Sequence, residues 1–112
     1  MLDNFSTNPV KELRNKVFKE LLKDKAIEIS PHAKDHLSLA QRKVFIDNEL
    51  VLLLKQNRPK RVFLQRNKRH AAYYKLKGSI RTLILEIQKE KIIIISFYDP
   101  TSIPKPRFEN EE

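Results

Sequence analysis

The sequence predicts an α+β domain in which N-terminal helices pack on one face of a four-stranded antiparallel sheet, and three observations carry that prediction. Apolar residues in the first half recur at helical spacing. After Pro59 the spacing changes from about 3.6 residues to 2. The alternating stretches that follow are joined by short polar turns, which favour antiparallel neighbours. A chain of 112 residues holds one core of useful size and not two. The expected division is a flexible N-terminus over 1–8, one α+β domain over 9–98, and a loose, Pro-rich, acidic-ended tail over 99–112.

Each element has its own signal. Asn8-Pro9 reads as an N-cap followed by proline at the first helical position. Val10, Leu13, Val17, Phe18, Leu21 and Leu22 then form one apolar stripe, which predicts a helix over about 9–24. Ile27 and Ile29 alternate with polar neighbours and suggest a short strand or an extended connector. Ser30-Pro31 is a second cap-plus-proline start, with a short helix expected over 31–38. Asp47 is a good cap for a third helix over 48–57, with Leu50, Val51 and Leu54 facing the core and Ile46–Val51 spaced as a hydrophobic staple. Strands are expected over 61–65, 69–77, 80–87 and 91–98. The turns between them are Arg66-Asn67-Lys68, Gly78-Ser79 and Lys89-Glu90.

Charge narrows the function. The formal net charge is +9, and 33% of residues are charged. Between Leu50 and Leu85 there is no Asp or Glu, yet the stretch holds ten basic residues. Such segregation builds a one-signed field that attracts polyanions; an acidic protein partner would satisfy the same field. The chain has no Cys, which removes disulfide scaffolds and thiolate zinc sites and fits a reducing compartment. No apolar run approaches the roughly 20 residues needed to cross a bilayer, and no signal-peptide core is visible, so the expected place is the cytoplasm, without membrane contact. A single Gly excludes a Gly-rich phosphate loop.

Three short motifs carry a family resemblance. Ile29-Ser-Pro-His-Ala33 followed by Asp35-His36-Leu37 resembles the opening of a group of domains related to the BrnT and RelE toxins. Ile46-Asp47-Asn48-Glu49 looks like the cap of that family's second helix. Ile93-Ile-Ile-Ser-Phe-Tyr98 is similar to its last strand. The match covers about residues 26–98. His36 stands where the family carries Arg, the spacer between Leu37 and Ile46 lacks the usual basic-Gly pair, and the 9–24 helix has no counterpart. The resemblance implies a barnase/RelE-like fold, RNA cleavage by 2′-OH attack on the adjacent phosphate without metal or other cofactor, RNA (on or off the ribosome) as substrate, and an acidic antitoxin as partner.

Such cleavage needs a base, an acid, and cations for the phosphorane charge. The expected catalytic set is His32, Arg81, Ser96 and Tyr98. His32 falls in the first turn of a helix, where free N–H groups favour phosphate, and its ring titrates near neutrality. Arg81 has the fork geometry to clamp a phosphate. Ser96 and Tyr98 share a strand face and offer a hydroxyl and a stacking ring. The expected RNA-binding set is His36, Arg61, Arg66, Lys68, Arg69 and Tyr74. His32 and His36 have the spacing of paired helical metal ligands, but a third ligand is missing, so no metal is expected. The same charges also suit a non-catalytic RNA- or DNA-binding module, or an interaction protein for an acidic partner.

Overall fold

Four consecutive strands form the meander that their alternation and turns foretell. They are β3 (Arg61–Gln65), β4 (His70–Leu76), β5 (Ser79–Ile87) and β6 (Lys91–Tyr98), each antiparallel to the next. The computed structural model describes residues 7–31, 33 and 46–106. Gly78 turns the chain between β4 and β5 at φ +79°, a left-handed conformation that only Gly adopts without cost. The β3–β4 turn uses Lys68 at φ +74°. The Asn67 side chain holds it by accepting the Arg69 N–H at 2.9 Å.

The predicted architecture is otherwise corrected. The sheet has six strands and is mixed, in the order β1-β3-β4-β5-β6-β2. Among the described residues there are two helices, α1 (Asn15–Leu22) and α2 (Ile46–Gln56). The expected helix over 9–24 is in fact a strand and then a helix. β1 (Pro9–Leu13) runs antiparallel to β3, and α1 begins only at Asn15. Pro9 cannot donate to a ladder, but β1 is an edge strand with an irregularity between Pro9 and Lys11, where proline is tolerated. The tertiary gain overrides local propensity: β1 covers the open side of β3, Leu13 joins the core, and Glu12 pairs with Arg61. The apolar spacing across Val10 to Phe18 straddles this boundary by coincidence. Val10 and Val17 remain exposed, while Phe18 is buried.

β2 (Ala26–Ile29) lies parallel to β6, with Ala26 opposite Lys91 and Ile29 opposite Ile94. This pairing makes the sheet mixed. At its end the Ser30 hydroxyl donates to the Ile95 carbonyl and accepts the Ala33 N–H, both at 3.3 Å, so the expected cap forms. The remainder of the 31–38 helix lies outside the described residues. α2 starts at Ile46, so Asp47 sits inside the helix and does not cap it.

The helices pack on one sheet face. Phe18 of α1 and Leu50, Leu53 and Leu54 of α2 meet Val62, Ala72, Tyr74, Leu83, Leu85, Ile92 and Ile94. The other face carries a smaller cluster of Phe63, Ala71 and Tyr73, with Ile80, Ile84 and Ile103 packed against it. Ile103 belongs to the segment after β6. At least as far as Pro104 that segment therefore lies against the sheet: Asp99 pairs with Arg81, and the Pro104 carbonyl accepts from Arg61 at 3.2 Å.

Candidate nucleic-acid interface

Strand register decides which of the expected site residues meet. Arg81 stands opposite Tyr74 on β4, on the face that holds the helices. Thr82, its neighbour, stands opposite Tyr98 on the other face, and Ser96 shares that face through its pairing with Ile84. Arg81 is therefore separated from Ser96 and Tyr98 by the thickness of the sheet. No single phosphate can touch all three.

Local partners complete the picture. Arg81 Nε and Nη2 donate to the two Asp99 carboxylate oxygens at 2.9 and 3.2 Å. Its Nη1 lies 3.9 Å from Glu49, and its guanidinium stacks 5.6 Å from the Phe97 ring centre. The Asp99 hydrogen bond holds its pKa above the ordinary arginine value. This cation is already neutralised from two sides. Tyr98 and Tyr73 share a hydroxyl contact of 3.3 Å. Burial and then that contact push the Tyr73 phenol up, so it is neutral at pH 7. Tyr74 is buried at 1% exposure, which removes it as a stacking platform. His32 and His36 lie outside the described residues.

The expected phosphate guides are likewise dispersed. Arg61 is gripped by Glu12 through two hydrogen bonds of 2.9 and 2.6 Å and lies over the Phe63 ring. That grip holds the Glu12 carboxyl below its ordinary pKa, working against partial burial. Arg66, Lys68 and Arg69 cluster at the β3–β4 turn, where Arg69 faces Glu86 at 3.9 Å. Lys75 and Lys77 belong to the opposite end of the sheet, at the β4–β5 turn. The acid-free tract is continuous in sequence and divided in space.

A different set of cations does converge. A groove of about 1030 Å³ lies between α1 and the end of α2. Phe18, Leu22, Ile27 and Leu54 form its apolar floor. Its walls carry Lys16, Lys19, Lys23, Lys25, Lys55 and Arg58, against two acidic residues, Glu20 and Asp24. Lys16 and Lys19 lie one turn apart on one side of α1, and Lys23 is its extended C-cap residue. None of the six cations forms an ion pair with a carboxylate among the described residues, and all but the half-buried Lys25 are exposed.

Only Lys55 and Arg58 of these six belong to the acid-free tract. The other four come from a stretch with mixed charge, which reads in sequence as an ordinary solvated helix face. The sequence signal available was the i, i+3, i+7 spacing of Lys16, Lys19 and Lys23, but nothing in it pointed to the end of α2 as the opposite wall. Among the described residues no group of three or more His, Asp or Glu is placed to hold a metal ion, and no helix is long and apolar enough to cross a membrane. Compared with known proteins, the chain matches no family model, no curated protein and no solved structure.

Proposed function

We propose that this protein is a non-catalytic RNA-binding module that holds the nucleic acid in the groove between α1 and the end of α2. The observation that supports the reading is the convergence on one concave surface of six cations that have no carboxylate partner among the described residues. Unpaired ammonium groups release counterions when phosphates replace them, so affinity comes from the salt term. Arg61 and Arg81 are left out because each is already committed to a carboxylate. The binding reading is preferred to a ribonuclease because Arg81, Ser96 and Tyr98 do not meet.

Titration of labelled RNA against wild type and a Lys19→Glu/Lys55→Glu variant tests it. Each reversed charge is exposed, so the fold is expected to survive, as circular dichroism would report. Binding should weaken by at least tenfold at low salt. Wild-type affinity in a folded variant would reject the groove. Running the same mixtures on a denaturing gel in EDTA addresses the chemistry. Intact RNA is the expected result, whereas cleavage that a His32→Ala variant loses would restore the ribonuclease.

A further inference from the structure

The groove that supports RNA binding also constrains which form of nucleic acid fits it. We infer that it takes the sugar–phosphate backbone of a duplex, independently of base sequence; the inference rests on the binding role proposed above.

Proteins that hold single strands combine a basic track with exposed aromatic rings on which the bases stack. This groove has the track, and its described lining lacks the rings. Phe18 is the only aromatic among its described lining residues, and at 2% exposure it belongs to the core. The one exposed aromatic side chain among the described residues is Tyr98, which lies on the opposite sheet face, bonded to Tyr73. Among the described residues, a splayed base entering the groove would find ammonium groups and an apolar floor, and no exposed ring to lie on.

The cations themselves favour the backbone. Five of the six are lysines. An ammonium is a compact point charge, whereas bidentate reading of a base edge calls for the arginine fork or an amide. At about 1.5 Å of rise per residue, Lys16 and Lys19 stand about 4.5 Å apart along α1, and Lys23 follows at its extended C-cap. One strand of a duplex presents a phosphate about every 3.4 Å of axis, so this pair matches about two successive phosphates, with Lys23 beyond them. Lys55 and Arg58 face this row from the other wall. Two walls of point charges can clasp one backbone ridge, while the paired bases stay stacked in the duplex.

The test compares four probes of about 16 base pairs or nucleotides: duplex RNA, duplex DNA, the unpaired RNA strand, and a duplex RNA of permuted sequence. Fluorescence anisotropy is read across a salt series with the full chain. The two duplex RNAs should bind equally and at least fivefold tighter than the single strand. A log–log salt slope of up to about −5 is expected if all six cations engage. Duplex DNA presents the same row of phosphates and should also bind more tightly than the single strand. The Lys19→Gln/Lys55→Gln variant should lose affinity for every duplex by the same factor. Tighter binding of the single strand, or a clear difference between permuted duplexes, overturns the inference and leaves the basic groove as a nucleic-acid site. Absence of salt-dependent binding to all four probes removes the RNA-binding role itself.

Discussion

Arg61 and Arg81 look in sequence like two more cations of a basic tract, and the fold makes each of them a structural clasp. Arg61 reaches back 49 residues to Glu12, and Arg81 reaches forward 18 to Asp99. Neither partner is legible from spacing, because each ion pair forms only once strands are aligned. His70 shows a residue-scale cost of the same process. Its Nδ1 is buried without a hydrogen-bond partner, and burial, then the Lys11 charge, lowers its pKa. The folded protein thus resists a proton that the unfolded chain accepts near a pH of about 6.5. Stability should fall as pH drops below that value toward the lowered folded pKa. Replacing His70 by Gln should flatten this limb, and urea midpoints between pH 8 and 5 would show it. A limb of unchanged slope in the variant would assign the effect elsewhere.

At the scale of elements, α1 is a helix that does not support itself. It has only eight residues, its N-cap Arg14 makes no capping hydrogen bond, and its first turn holds no acidic residue. Isolated helices of this length are unstable in water. What holds it is Phe18, set among the core residues of the sheet face. Phe18→Ala should therefore cost about 3–5 kcal/mol and, by loosening α1, should also weaken nucleic-acid binding. Denaturant unfolding and a binding titration would measure the two together; a stable variant would show that α1 is held by other contacts. The segment after β6 is a second dependent element, because Ile103 seals the smaller cluster. Ile103→Ala should cost about 1–3 kcal/mol at this half-buried position and leave the groove's affinity unchanged.

Legibility also divides by element. β3 to β6 are visible in the sequence to within about a residue, because each partner lies just beyond a short turn and alternation is local information. β1 and β2 are not. Pro9 pairs with Gln65 and Ile29 with Ile94, so what makes them strands is more than 50 residues away. The same separation hid the groove, whose walls come from residues 16–25 and 55–58. The predicted antiparallel four-stranded sheet is the local half of the true one.

For the whole molecule, one core cluster draws side chains from both described helices and all six strands, once Leu13 of β1 and Ile27 and Ile29 of β2 are included. The smaller cluster on the other face draws on β3, β4 and β5, which already belong to the first. Unfolding should accordingly be a single cooperative transition in which far-ultraviolet dichroism and tyrosine fluorescence coincide. An earlier dichroism change would mean that the edge strands melt on their own.

The placement of β1 and β2 also has a consequence for synthesis. Both edges of the sheet are supplied by the first 29 residues, yet their neighbours are β3 and β6. A chain emerging from the ribosome shows its edge-protecting strands first and can use neither. β1 must wait for β3, and β2 must wait for the last strand of all. Until β6 is released, the growing meander keeps an open, strand-hungry rim, the form most prone to pair with a neighbouring chain. The step that ends this exposure is the arrival of residues 91–98. Chains stalled just before that point should partition to aggregates and chaperones far more than chains stalled after it.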